Sequence, residues 1–546
     1  MVALRSPAQV MRLQRMGSFH ATRLSFMPTL LRRLDREQWR FSVGDWSIGD
    51  DGVGHAVYTV HGPERSYSLV CFAHDLPDEQ RSDRVIATAW DATFALFDGV
   101  PDARDMMRLT MNVPKQEAGR ISDRELTLSR ANRSVRLFEH VVASLAEGRQ
   151  PDRDLVDDVG YLMRTTAVYG SGKFGAADRV AVADRPEMRG PFQAEMLTVW
   201  LIRAFVLDLV EHLARIRGGD AAVAIEPGLR RRFGIGNSTG LGMAPFLMNH
   251  PVLLNNWIVA RETALQRVRE RGAASPKQVK AFRDSLDLSI DNVRNWRSDH
   301  PLQQVKLVDL NADLNSLLHH VENDNPFAAL MPWDALWQWG ESNLSVEGQE
   351  ALVSLLLEPH ADIVDSLSDT MDADEDAAFH IDGSMTLGVL RNLIVKGYGW
   401  ALDADFQSRE NSARFWYVSE EKLEPRLGER YEEPGADLEQ PLATGRDVAL
   451  LAADIDAWRS TDRTVAAFLL THPEHRHAVR RVQTSDKYPF AEIRDNLIAA
   501  DMLPIDLLRC KLSFFGATRF DPRSDRWVRI CMYLDAFFPH ELLEPA

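Results

Sequence analysis

The sequence predicts a mainly α-helical α+β protein, with a helical central core and small antiparallel β-subdomains. Three observations carry this. Apolar residues recur three and four positions apart through the middle of the chain. Strand-prone segments rich in aromatic and β-branched residues stand near 38–75, 412–422 and 511–533. No repeat of fixed period points to a solenoid. A chain of 546 residues exceeds what one hydrophobic core holds, so several domains are expected. The predicted division is a basic N-terminal segment 1–34, an α+β subdomain 35–115, a helical core domain 116–360 with two glycine-rich ligand loops, an acidic linker 361–383 and a C-terminal α+β region 384–546.

Taken in order, the first 34 residues hold six arginines and no acid, the composition of an organellar transit peptide. Arginine is the default cation throughout, however, with only nine lysines among 63 cationic residues, and the expected location is cytoplasmic. Between Gln38 and Asp75, "WRFSV", "HAVYTV" and "SYSLVCF" are separated by turn residues at Gly49–Gly52 and His61–Pro63, which predicts a three-stranded meander. From Ser82 to Tyr169 the spacing predicts helices, notably in "SDRVIATAWDATFALF" and "RSVRLFEHVVASLAEG", with Asp83 and Ser129 as caps. Phe192–Ile216 and Met243–Gly272 are predicted as the central helices, followed by Lys277–Arg297, Leu307–Val321 and Val346–Leu357. The acidic stretch Asp365–Gly383 reads as a loop. Its Asp372–Asp376 run fails as a calcium loop, because Ala377 stands where glycine is needed and Gly383 where glutamate is needed. Ser412–Lys422 is strand-prone, and Lys511–Tyr533 reads as two strands about the turn Asp521–Asp525.

Composition excludes several classes of function. A net charge of −17 opposes general binding to nucleic acid or to anionic membranes, since both need a basic footprint. The most apolar run, Met196–Ala214, is broken by Arg203, Asp208 and Glu211, so it is read as a buried helix and not a membrane span. Cys71, Cys510 and Cys531 form no paired motif, which predicts neither a disulfide framework nor a cysteine metal site.

Two stretches between the apolar segments ask for another explanation: "YGSGKFG" (Tyr169–Gly175) and "RRRFGIGNSTGLGMAPFLMNHP" (Arg230–Pro251). Glycine lets backbone approach a ligand closely, and successive amide N–H groups in such turns make a concavity for an anion. Neither stretch has the spacing of a P-loop or a dinucleotide fingerprint. Ser171, Arg232, Gly236, Asn237, Ser238 and Thr239 are therefore the expected substrate-binding residues. Lys173, a lysine in an arginine-rich chain, is the expected point contact or proton-transfer group, weighed against a solvated loop residue. His250 beside the second stretch, and Glu421 in the strand-prone patch, are the other acid–base candidates. His472, His475 and His477 in "THPEHRH" are weighed as metal ligands, but they begin a polar helix and have no partnering carboxylate motif of the HExxH type, so a solvated face is preferred there and no metal site is predicted.

The segment Gly236–Pro251, "GNSTGLGMAPFLMNHP", resembles the flexible signature loop of the fumarase and aspartase superfamily in its glycine, small hydroxyl pair, methionine near proline and Asn249 near Pro251. It departs from it where Ala244 separates Met243 from Pro245, where an apolar residue replaces the lysine, and where His250 separates Asn249 from Pro251. The resemblance implies only that a lyase belongs among the candidates. The expected function is an enzyme, a lyase or hydrolase, that binds a small anionic carboxylate or phosphate metabolite between the two glycine-rich stretches. The cofactor requirement and self-association into a homo-oligomer are left open. The rival readings are a non-catalytic helical scaffold and a cofactor-dependent oxidoreductase.

Overall fold

A computed structural model describes residues 2–77, 89–115, 122–169, 182, 184–188, 190–239, 250–296, 301–371, 379–406, 418–419, 422–423, 444–493, 504–516, 519–521 and 528–542. The α+β class holds: the chain is mainly helical and carries one large sheet. It folds as two compact units, each discontinuous in sequence. A sheet unit comprises Ser25–Gly240 with Phe515–Ala546, and a helical unit comprises Met1–Leu24 with Leu241–Phe514.

In the sheet unit the strands are β1 (Arg40–Ile48), β2 (Gly54–His61), β3 (Ser66–Ala73), β4 (Ala92–Asp98), β5 (Glu125–Arg133), β6 (Tyr161–Tyr169), β7 (Gly234–Thr239), β8 (Arg519–Asp521) and β9 (Val528–Met532). They form one sheet in the order β1-β2-β3-β4-β5-β6-β7-β9-β8. The expected meander is β1–β3, and its first turn uses Gly52 at φ +76°, a conformation that other residues adopt only with strain. Every neighbouring pair is antiparallel except β6 and β7, which run parallel.

The helices of this unit are α1 (Phe26–Arg36), α2 (Ala103–Asn112), α3 (Phe138–Ala146), α4 (Arg153–Val159) and α5 (Gln193–Gly218). Helix α5 is the predicted apolar segment. Its Phe205 ring lies against Trp46, Tyr58 and Phe94, and its Thr198 and Asp208 hydrogen-bond Thr127 and Tyr58 of the sheet. On the other sheet face, Leu109 of α2 and the following Val113 pack on Val57, Val70, Phe72, Ala95, Phe97 and Leu128. With both faces covered, a strand loses the alternation that normally marks it.

That explains the main correction. The region from Ser82 to Tyr169 was expected to be helical, yet it supplies β4, β5 and β6 with only the shorter helices α2–α4 between them. Six successive residues of β4 are buried, and such a continuous apolar run mimics helical spacing. Ser129 is a buried β5 residue instead of a cap, while Asp83 lies outside the described residues. Lys511–Phe515 ends a helix, and the strand-prone patch contributes β8 and β9 only from Arg519 onward. Of Ser412–Lys422, the described pieces are Val418–Ser419 and Lys422, where Val418–Ser419 pairs with Lys422–Leu423.

The helical unit contains α6 (Pro251–Arg269), α7 (Pro276–Asn295), α8 (Pro301–Asn323), α9 (Pro332–Asn343), α10 (Val346–Leu357), α11 (Ala361–Ser368), α12 (Leu387–Leu402), α13 (Thr444–Ala457), α14 (Val465–Thr471), α15 (Arg476–Lys487) and α16 (Pro504–Phe515). Helix α10 has the predicted bounds, and α7 begins in a reciprocal Ser275–Gln278 capping box. Trp257 of α6 stacks on Phe514 of α16, ring centroids 3.9 Å apart. A second core joins Leu390 and Ile394 of α12, Val448 and Leu451 of α13, Phe468 of α14 and Val479 and Val482 of α15. Part of the acidic stretch, Asp365–Ser368, is the last turn of α11, and residues 372–378 lie outside the described set.

Residues 1–24 of the basic N-terminal segment belong to this unit, the rest to the sheet unit, and His20 gives a pH test. Its Nε2 is out of reach of solvent, and burial pulls the imidazole pKa down to about 4 from 6.5. A buried neutral histidine contributes stability that is complete above the unfolded value near 6.5 and is lost as pH falls toward 4, by up to about 1.4 kcal/mol per pH unit. Thermal melts between pH 6.5 and 4.5 are expected to fall less steeply for His20→Leu than for the wild type. Equal slopes would contradict this.

Candidate functional site

The parallel pairing of β6 with β7 decides where the chain leaves the sheet after Tyr169 and after Thr239. In register, Tyr161 stands beside Gly234, Arg164 beside Gly236 and Thr165 beside Asn237. Neighbouring strands lie about 4.8 Å apart, and in a parallel pair both chains leave the sheet at the same edge. Tyr169 ends β6 and Thr239 ends β7, and in the sequence Gly170 and Gly240 follow directly. The ends of β6 at Tyr169 and of β7 at Thr239 therefore lie at one edge of the sheet, at the carboxyl ends of adjacent parallel strands. The connection that returns the chain for a parallel pairing contains α5, which packs over the sheet and fixes both strands.

The same edge gathers other polar groups, because β3 begins there, β4 ends there and β5 begins there. Tyr67 Oη donates to Glu187 at 2.5 Å, Arg185 Nη2 pairs with Asp98 at 2.7 Å, and Arg108 Nη1 pairs with Glu125 at 2.5 Å. Burial and the Glu187 carboxylate push the Tyr67 hydroxyl pKa well up, so it stays protonated as a donor. The charges of Arg185 and Asp98, and of Arg108 and Glu125, compensate one another in pairs.

The second stretch differs from expectation in one respect. Gly234–Thr239 was read as part of a ligand loop, but it is a strand with neighbours on both sides: Asn237 stands between Thr165 and Ile530, and Gly236 between Arg164 and Cys531. Amide groups engaged in two ladders do not form an anion-binding concavity. The glycines there have a packing reason. A Cβ on Gly234 would stand 2.2 Å from the Met532 carbonyl oxygen, and one on Gly236 would stand 2.7 Å from the Tyr161 ring. Gly236→Ala is thus expected to cost about 1–3 kcal/mol by overpacking. Urea unfolding measures it, and a variant as stable as the wild type would remove the packing explanation.

Arg232 stands at the amino-terminal end of β7, the opposite end from Thr239, and its Nε donates to Asp157 at 2.7 Å. That hydrogen bond raises its pKa further. Its neighbours are also paired: Arg230 with Asp208 and Glu211, Arg231 with Glu541. The structure therefore gives each arginine of the triplet a carboxylate of its own. His250 belongs to the helical unit, where it is 3 % exposed and directly precedes α6, its carbonyl accepting from Leu254 N–H at 2.9 Å. Ser171, Lys173 and Glu421 lie outside the described residues. Of the predicted binding residues, Gly236, Asn237, Ser238 and Thr239 are consecutive in β7.

Sequence reading missed one group. Among the described residues, Asp454, His472, Glu474 and His475 could together hold a metal ion. The histidines stand together in the sequence, whereas Asp454 comes from another helix. No helix among the described residues is long and apolar enough to cross a membrane, and Cys71, Cys510 and Cys531 are buried thiols. Comparison with family models, curated proteins and solved structures gives no significant match, so the likeness of Gly236–Pro251 to the fumarase and aspartase loop is accompanied by no family match.

Proposed function

We propose that the protein is an enzyme of the lyase or hydrolase type, working in the cytoplasm, that binds a small carboxylate or phosphate metabolite where the two glycine-rich stretches leave the sheet. The observation that supports this is the parallel pairing of β6 and β7, which brings Tyr169 and Thr239 to one edge. Carboxyl ends of adjacent parallel strands are where connecting chain diverges and leaves room for a ligand. In this reading the residues after Tyr169, with Ser171 and Lys173, supply a hydroxyl and an ammonium. Asn237, Ser238 and Thr239 supply the remaining contacts. The amide contribution comes from beyond the strand, since the β7 ladders occupy its own N–H groups. Arg232 is dropped from the binding set because Asp157 holds it at the far end of β7.

The scaffold reading is favoured by one observation, the tight packing of Gly234 and Gly236 against Met532 and Tyr161. A thermal-shift screen against small carboxylates, phosphates and nucleotides separates the two. Ligand binding to the native state raises the melting temperature by mass action. A shift that Lys173→Ala loses supports the enzyme reading, and no shift with any anion supports the scaffold.

A further inference from the structure

We propose that Asp454, His472, Glu474 and His475 form a binding site for a divalent metal ion of the zinc class, linking α13 to the turn between α14 and α15. The local sequence builds the turn. His472 closes α14, its N–H on the Phe468 carbonyl at 2.9 Å, and Pro473 opens a single 3₁₀ turn, Pro473–His475, in which the His475 N–H reaches the His472 carbonyl at 3.2 Å. Residues three apart eclipse in 3₁₀ geometry, so His472 and His475 present their rings on one side, centroids 6.1 Å apart. Helix α13 brings Asp454 to them, with its Oδ2 at 2.7 Å from His475 Nε2, and Glu474 Oε1 stands at 3.1 Å from His472 Nδ1.

One donor atom from each of the four residues lies within 4.8 Å of the others. A tetrahedral ion with bonds near 2.0–2.1 Å needs donor separations of about 3.3 Å, so closing the set takes side-chain rotation and leaves the backbone in place. The surroundings hold the rings at suitable angles. Phe468 stacks on both imidazoles, at 4.8 and 5.9 Å, and Trp458 meets His472 edge-on at 5.6 Å. Exposure grades outward, from 8 % for the His475 side chain through 29 % for His472 and 45 % for Asp454 to 60 % for Glu474. The imidazoles thus form the base and the carboxylates the mouth, which lets an ion enter from solvent.

Donor chemistry selects the metal. Two imidazoles with two carboxylates suit Zn²⁺ and its neighbours Co²⁺, Ni²⁺ and Cu²⁺, whereas Ca²⁺ and Mg²⁺ prefer all-oxygen sets. Two carboxylates also balance the charge of a divalent ion. His477, the third histidine of the motif, is not a ligand: its Nε2 is turned to Asp447, two helical turns before Asp454 on α13, at 3.1 Å. Histidine spacing alone could not reveal the site, because its deciding carboxylate comes from another helix.

The test is titration of the full-length protein, stripped with a chelator, with Zn²⁺ alone in competition with a chromophoric chelator. One saturable site is expected, weakened at least tenfold in His475→Ala and in Glu474→Gln and unchanged in His477→Ala. Glu474 is exposed, so its substitution reports on the metal without threatening the fold. Co²⁺ should give the intense visible bands of four-coordinate geometry in the wild type, and these should be absent from Glu474→Gln. The absence of a saturable site, binding indifferent to both His475→Ala and Glu474→Gln, or an equal loss in His477→Ala would each overturn the proposal.

Discussion

Replacing Arg5 with methionine is expected to destabilise the helical unit by about 3–5 kcal/mol, the loss typical when one partner of a buried ion pair is removed. The Arg5 guanidinium has Nε on Glu262 at 2.7 Å, Nη2 on Glu262 at 2.8 Å and Nη1 on Glu350 at 2.8 Å. The side-chain exposures are 4 % for Arg5, 0 % for Glu262 and 1 % for Glu350. Arg261 also reaches Glu262, at 2.9 Å, and Arg15 reaches Glu350 at 3.3 Å, so two carboxylates are balanced by three guanidinium groups. Burial on its own would raise the Glu262 pKa, but the charges of Arg5 and Arg261 outweigh it and hold the carboxyl below its usual range.

The sign of the pH dependence follows. A carboxyl depressed in the folded state contributes stability that is present above its unfolded value, near 4.3, and is lost as pH falls through the folded value. The difference between wild type and Arg5→Met should therefore be largest near neutral pH and shrink in acid, where Glu262 is protonated and attracts no cation. Urea unfolding at pH 7 and at the lowest pH where both proteins fold measures it. A loss below about 1 kcal/mol at pH 7, or one that grows in acid, would contradict the account.

The second large effect is expected at Arg203 in the sheet unit. This side chain on α5 is 1 % exposed, and the hydrogen bonds of its guanidinium run to backbone carbonyls: Phe233 at 2.7 Å, Ala536 at 2.8 Å, Arg231 at 3.3 Å and Phe537 at 3.4 Å. It also lies over the Phe538 ring, 3.6 Å from the centroid. One cation thus fastens the chain just before β7 to the chain just after β9. Arg203→Leu leaves at least two carbonyls without their donor, at about 1–3 kcal/mol each, so a loss on the order of 3–5 kcal/mol is expected. Arg203→Lys should recover only part, because an ammonium lacks the planar fork that reaches several acceptors at once. Equal stability of Arg203→Lys and wild type would show that charge alone matters there. Because Arg203 anchors the entry to β7, its loss should also weaken any ligand bound at the far end of that strand.

How much of this was legible in sequence depends on how local the cause was. Helices α5, α7 and α10 announce themselves through spacing and caps, and the β1–β3 meander through turns and alternation, because each signal lies within a few residues. Strand β4 was misread because its two covered faces erase alternation, and that covering comes from α2 and α5 elsewhere in the chain. Gly234–Thr239 was misread as loop because glycine, asparagine, serine and threonine favour turns. Its glycines answer instead to Met532 and Tyr161, distant in sequence. The candidate site shows the same division. Its residue types were visible, and the parallel pairing that brings Tyr169 and Thr239 to one edge was not, since β6 and β7 are joined through α5. Likewise "THPEHRH" was noticed, while Asp454 could be found only once α13 was in place.

The most direct test of the central claim is calorimetric titration of the best-binding small carboxylate or phosphate into wild type, Lys173→Ala, Asn237→Ala, the double variant, and Arg232→Ala as a control. Saturable binding is expected in wild type and in Arg232→Ala. A loss of at least tenfold is expected in each of Lys173→Ala and Asn237→Ala, and a double-variant loss smaller than the sum of the two, because both stretches hold one ligand. Binding indifferent to Lys173 and Asn237, or no binding of any small anion by the wild type, would contradict the claim.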